Sequence, residues 1–271
     1  MESARTALRE HLRRGLLGSL IVAMACLGGA CDSAVGIPRD DTGSDDSPGS
    51  STASATTAPG PADAATVAVG RWAADLREHG LSGMENRCWT IAPKHVRATY
   101  ADPQPIFDAL AQPGVHTGDL TVWKNGPVAV VAQDRDVASG YACPQVYSGW
   151  PELSFDDADA RHTVRRYLSR LIGKPLDARD TEAEYPLVCS AAAGNWDPDG
   201  TGKSVVPPLA TNPGRQVAVT AFVDQSINSE WPRGSYITVS VPVTTGSGKQ
   251  VKQTFTLKSG GEGYCIGDVS G

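Results

Sequence analysis

Six cysteines are the residues in this chain best equipped for chemistry. Cys26 and Cys31 sit in an apolar run near the N-terminus. Cys88, Cys143, Cys189 and Cys265 are widely dispersed. A zinc site is the rival reading for these four, but no two are close and no histidine stands near them at ligand spacing. An even set of dispersed cysteines in an oxidising compartment reads instead as two disulfides, with three pairings open.

Other chemical candidates are sparse. His95 and His162 each stand alone as a possible base, and a lone histidine is more often structural or merely exposed. Gly200-Thr201-Gly202-Lys203-Ser204 has the form of a phosphate-loop ending, but the pattern needs glycine where Asp197 stands. The loop also needs a following helix, which Val205-Val206-Pro207-Pro208 forbids. Asp197-Pro198-Asp199-Gly200 begins like a calcium loop but lacks the closing glutamate, and reads as a polar turn. There is no Gly-x-Ser-x-Gly elbow and no His-Glu-x-x-His helix. The sequence therefore nominates no catalytic residue, no cofactor and no metal, although triads assembled in space escape such a search.

The cysteines must be read by compartment, which the N-terminus sets. Arg5, Arg9, Arg13 and Arg14 precede the run from Leu16 to Ala30, which ends in small residues. A basic lead, a short apolar core and a small-residue exit are the parts of an export signal. The run is too short and too glycine-rich to span a bilayer. Gly28-Gly29-Ala30-Cys31 resembles the lipobox of bacterial lipoproteins, whose cysteine becomes the acylated first residue. Here Gly28 stands where that family usually has leucine, with Leu27 one place further out. Cys26, after Ala23-Met24-Ala25, is a rival site, and a plain signal cleaved near Ala30 is the simpler alternative. The resemblance implies lipid attachment at Cys31 and an extracytoplasmic, membrane-anchored location. Two or more acyl chains anchor stably where one does not.

The chain has 271 residues, with 24 Lys and Arg against 30 Asp and Glu, a net charge of −6. Setting aside residues 1–30, with four Arg and two Glu, leaves 20 basic against 28 acidic residues. A mildly acidic surface argues against nucleic acid and against electrostatic adhesion to anionic lipid. Residues 32–63 are nearly all Asp, Ser, Thr, Gly, Pro and Ala without an aromatic, too polar to offset the entropy of ordering. They read as a flexible tether with a reach of about 30 Å.

Asp63 is a candidate helix cap. Val69, Trp72, Ala73 and Leu76 then fall at helical spacing up to a stop at Gly80. Ser82 to Glu85 has the form of a capping box for a short helix bearing Cys88. Asp102-Pro103 starts another helix, which stops at Pro113-Gly114. Leu120–Trp123 and Val128–Ala132 read as strands joined through Asn125-Gly126, and a further strand is expected over Tyr141-Ala142-Cys143.

After residue 151 the order recurs. Ser154, Asp156 and Asp157 offer caps to a helix whose stripe is Val164, Tyr167, Leu168, Leu171 and Ile172. Arg161, Arg165, Arg166 and Arg170 occupy the opposite face and read as solvated. Residues 194–214 read as a long loop. Four strands follow, with Val217, Val219, Ala221 and Val223; Ile237, Val239, Val241 and Val243; and Val251, Phe255 and Leu257 facing inward, then Tyr264 to Val269.

The expected fold class is α+β, a helix on a curved antiparallel sheet, in tandem, with one disulfide per repeat. Gly140-Tyr141-Ala142-Cys143 and Gly263-Tyr264-Cys265 echo one another. The boundaries are 1–30 signal, 31–63 tether, 64–150 first domain and 151–271 second domain, with a single composite domain as the alternative. In this layout Cys88 pairs with Cys143 and Cys189 with Cys265.

A long helix followed by a meander ending in Gly260-Gly261-Glu262-Gly263-Tyr264-Cys265-Ile266-Gly267-Asp268-Val269 resembles the cystatin-like cone of the nuclear-transport-factor-two-like superfamily. The resemblance covers residues 156–269, and 64–146 more loosely. It implies tandem cones of the kind found in exported bacterial envelope proteins, including parts of conjugative machinery. Some members use a carboxylate in the cone as a base, but no residue here matches such a site. The expectation is a lipoprotein acting as a non-enzymatic binding or assembly module, whose partners are the membrane and an envelope protein or small ligand. The alternatives are a small enzyme with an acid or base in a cone-shaped pocket, and a structural component of an envelope transport or conjugation complex.

Overall fold

Two hydrophobic cores, one from each half of the chain, organise the computed structural model, which describes residues 60–149 and 155–271. The signal, the lipid site at Cys31 and nearly all of the tether lie outside the described residues.

In the first half, helix α1 (Pro61–Arg87) begins with Pro61, whose fixed φ and missing N–H suit the first helical position. Gly60 therefore takes the cap position, and Asp63 lies within the first turn rather than capping, where its charge suits the helix dipole. Val69, Trp72, Ala73 and Leu76 are all buried, as their spacing requires. Gly80, at φ 64°, breaks the helical path, a conformation that glycine adopts at little cost. The chain then resumes its helix, so Ser82 lies inside it and caps nothing.

Helices α2 (Pro93–Thr99) and α3 (Gln104–Leu110) follow. Strands β1 (Val115–Thr117), β2 (Leu120–Asn125), β3 (Val128–Gln133) and β4 (Gln145–Ser148) form an antiparallel meander in that order. Trp123 pairs with Val130, and both side chains enter the core. There Trp72 meets Tyr100 edge-on at 4.7 Å. Burial of a side chain of this size is worth about 1.5–3 kcal/mol. The short helix α4 (Asp134–Ala138) interrupts the meander between β3 and β4.

Tyr141-Ala142-Cys143 does not form the expected strand. Pro144 lacks the N–H a ladder needs, and pairing starts only at Gln145. Ala142 instead donates its N–H to the Ala68 carbonyl on α1.

In the second half, helix α5 (Asp157–Leu171) opens with a complete capping box formed by Asp156 and Asp159. Val164 and Leu168 are fully buried on its apolar face. The long segment after it carries a Trp196–Val205 bridge and the short helix α6 (Pro208–Thr211), more order than a plain loop. Strands β7 (Tyr236–Thr245), β8 (Gln250–Gly260) and β9 (Gly263–Ser270) pair antiparallel in sequence order. Ile237 faces Leu257 and Val239 faces Phe255, so one face of the sheet is continuously apolar.

Both β5 (Val219–Phe222) and β6 (Asn228–Arg233) pair with the outer side of β7. A register shift after Val219 disrupts the alternation of β5, so that only Val219 is buried while Val217, Ala221 and Val223 are exposed. β6 is an additional strand that the sequence reading lacks. It is a short edge without apolar alternation, and Trp231 on it is half exposed.

The fold is thus α+β with antiparallel sheets and two disulfides, Cys88–Cys143 and Cys189–Cys265. The first ties the residue after α1 to the stretch before β4. The second ties β9 to the segment running parallel beside it, where the Cys189 N–H reaches the Ile266 carbonyl at 2.9 Å. The bridges close 55 and 76 residues. Chain-entropy arguments assign about 4 kcal/mol to each such loop before native strain is counted. Gly267 on β9 leaves room for the Trp196 ring: a Cβ there would lie 2.2 Å from it.

Candidate functional site

All the described residues belong to one compact unit, and the two cores meet along a polar seam. At its buried end, Trp89 follows the first disulfide and packs edge-on against Tyr185 at 4.8 Å. The Arg166 guanidinium lies 4.9 Å from the Trp89 ring, a cation–π contact. Tyr185 donates its hydroxyl to the Asp136 carboxylate of α4 at 2.9 Å. Burial pushes the Asp136 carboxyl above its ordinary range, against the pull of that hydrogen bond and of three arginines.

Within the arginine row of α5, Arg161 and Arg165 stay partly solvated as expected, but Arg166 and Arg170 do not. Arg166 and Arg170 both bind Asp180, whose side chain is wholly buried, with Arg166 Nη2 at 2.7 Å. Arg170 also binds Glu182 at 2.8 Å, and Glu182 in turn accepts from the Leu187 and Val188 backbone N–H groups. Arg161 pairs with Asp157 and Arg165 with Asp224. Carboxylates of α5 itself, of the loop after it and of the β5–β6 connection neutralise the row.

The two candidate histidines both cross the seam. His162 of α5 is buried, and its Nε2 donates to the Trp89 carbonyl at 2.7 Å. Burial pulls its pKa down to about 4, so the ring is neutral at pH 7. Its Nδ1 has no hydrogen-bond partner among the described residues. His95 of α2 sits at the outer end of the seam, with Nδ1 2.8 Å from Asp159 and Nε2 3.2 Å from Asp156. The bond to Asp159 raises its pKa to about 9, so it is a cation at neutral pH. Burial pushes the Asp156 carboxyl up, but the Ala158 N–H, Lys94 and His95 together hold it below the ordinary range. His95, Asp156 and Asp159 are close enough to share a metal ion, although the two carboxylates already cap α5 and Lys94 lies 3.2 Å from Asp156.

Between these ends lies a cleft of about 350 Å³. Arg135 and Ile91 of the first half face Phe155, His162, Leu187 and Tyr264 of the second across it. The glycine-rich β8–β9 turn forms its rim, and Glu262 there reaches Arg135 at 3.1 Å. Cys189 and Cys265 form part of its wall. The arrangement can hold a small polar or amphipathic molecule between an arginine, a neutral imidazole and an apolar wall.

The rejected motifs stay structural. The Asp197 carboxylate turns back onto the Thr201 and Gly202 N–H groups, closing its own loop rather than facing a phosphate or a calcium ion. Sequence reasoning singled out His162 and both cysteines of the cleft. It missed Arg135, Trp89 and Tyr185, and saw Glu262 only as part of a final-strand pattern.

No family model matches the chain, and no curated protein or solved structure shows significant similarity to it. Among the described residues, no helix is long and apolar enough to cross a membrane.

Proposed function

We propose that the chain is an exported lipoprotein, acylated at Cys31 and held by its polar tether on the outer side of the cell membrane. There it acts as a non-enzymatic binding or assembly module. Its two halves are read as tandem α+β repeats, each a helix on a curved antiparallel sheet with one staple. The observation that carries the reading is the seam cleft, which is open enough to receive a ligand while most ionisable groups around it are engaged in ion pairs and hydrogen bonds within and across the halves.

The basic lead, apolar run and small residues before Cys31 support the anchor, and the two disulfides suit an oxidising compartment. The enzymatic alternative rests on His162, a neutral imidazole at the cleft. At about 4 its pKa makes it a weak base at neutral pH, and His95, at about 9, is already protonated there.

Intact mass of protein extracted from membranes tests the anchor. The expected species begins at Cys31 and carries acyl chains, and Cys31→Ser releases the protein into the soluble fraction. A wild-type soluble form that starts after Ala30 without lipid would overturn the reading.

A further inference from the structure

We propose that the seam cleft binds a small carboxylic acid that carries a hydrogen-bond donor on its α-carbon and an apolar side chain, an α-hydroxy or α-amino acid in chemical class. The inference rests on the reading of the chain as a binding module and names what that module takes.

Three features of the cleft converge on this class. The first is Arg135. Its Nε has no hydrogen-bond partner among the described residues and is sealed from solvent. Its Nη1 donates to the Glu262 carboxylate on an exposed turn, and the guanidinium lies 5.3 Å from the Tyr185 ring. A buried N–H left unpaired costs more than an average hydrogen bond returns, so this group is poised for a carboxylate. Arg166 and Arg170 cannot serve, because Asp180 already occupies them.

The second is His162. With Nε2 donating to Trp89, its Nδ1 is a bare lone pair, a buried acceptor without a donor. A hydroxyl or ammonium beside the ligand's carboxylate supplies one. The third is the apolar wall of Ile91, Phe155, Leu187 and Tyr264. It suits a hydrocarbon or aromatic side chain and disfavours a second charge.

Glu262 is the internal stand-in for the ligand's carboxylate. It sits in Gly260-Gly261-Glu262-Gly263, with Gly263 at φ 130°, a turn whose glycines let it move at small cost. With Glu262 on Arg135, neither unpaired atom touches solvent. Both atoms lie just beneath the surface of the cleft, so exchange of the glutamate for the ligand must also uncover them.

The test is calorimetric or NMR titration of the purified full-length chain with L-3-phenyllactate, its methyl ester, and 3-phenylpropionate, which lacks the α-hydroxyl. The acid is expected to bind at least about tenfold more tightly than the ester, and about threefold more tightly than phenylpropionate. Arg135→Gln should weaken the acid by about tenfold or more, and Glu262→Gln should tighten it by about threefold, because the competing carboxylate is gone.

If Arg135→Gln does not fold by circular dichroism, the acid–ester contrast and Glu262→Gln decide the matter. Equal affinity for acid and ester, an unchanged affinity in folded Arg135→Gln, or no saturable binding at about 10 mM would overturn the site. None of those results bears on lipid at Cys31 or on capture of a protein partner, so the anchored-module reading would survive them. Turnover of a bound probe would do the reverse, sustaining the site and ending the non-enzymatic reading.

Discussion

The two ends of the seam join the same halves by opposite electrostatic means. At the buried end, the neutral His162 meets Trp89 and Tyr185 holds Asp136 across the seam, beside Arg166 and Arg170, which share one inaccessible carboxylate within the second half. At the outer end, His95 is a cation between Asp156 and Asp159, with Lys94 beside them and water within reach. A charge at the inner end must be matched by geometry, because removing one partner leaves the other stranded in low dielectric. At the outer end solvent replaces a lost partner, and the same nominal ion pair is worth far less. Proximity and opposite sign are common to both ends, so burial decides their value.

The largest effect tests the inner end. Asp180→Ala strands the Arg166 guanidinium, takes from Arg170 one of its two carboxylates, and should destabilise the protein by about 3–5 kcal/mol, read as a lower midpoint in urea. A loss below about 1 kcal/mol would mean that Arg166 and Arg170 reach water, and the contrast between the ends would collapse.

The second effect is the acid limb of stability. His162 has a folded pKa of about 4 against 6.5 unfolded, so the native state binds fewer protons between those values. Its contribution is complete above pH 6.5 and is lost as pH falls toward 4, by about 3 kcal/mol in all. Arg165, Arg166 and Asp180 face the ring and are part of that shift. Asp136, raised by burial, works in the opposite direction in acid. The difference between wild type and His162→Gln therefore isolates the histidine. Parallel profiles from pH 4 to 7 would contradict a buried neutral ring.

The smallest effect belongs to the outer end. His95, raised to about 9, contributes stability that is present below pH 6.5 and is lost as pH rises through 9. Because the ring is partly solvated, the contribution is about 1 kcal/mol rather than the full value of the shift. His95→Gln should flatten the alkaline limb only, and about 0.5 M salt should erase most of the difference. Persistence in salt would show that the outer pair is shielded like the inner one.

The outcome divides the chain's features by what each depends on. Val69 to Leu76 on α1, Val164 to Leu168 on α5 and the four inward residues of β7 were legible because each states its own period, and any core that covers them satisfies them. The disulfide pairs followed from the expected layout of one staple per half, although Cys143 precedes β4 instead of lying on a strand. Where a local signal was ambiguous, the neighbours chose. Asp63 yielded the cap to Gly60, Pro144 stopped a strand at Cys143, and a bulge turned the alternation of β5 outward.

The site is the part that only tertiary structure decided. Arg166 and Arg170 occupy what looks in sequence like a solvated helix face, and nothing in the spacing of α5 announces Asp180. Trp89, Arg135, Tyr185 and Glu262 come from four separate segments and carry no shared pattern. The sequence by itself determined the periods, the turns and the even set of cysteines, because these are properties of neighbouring residues. Which charges are buried, which histidine is neutral and where a cleft opens depend on what the other half of the chain lays against them. A pKa or a cavity is set by the surrounding dielectric and packing, and no linear spacing encodes those.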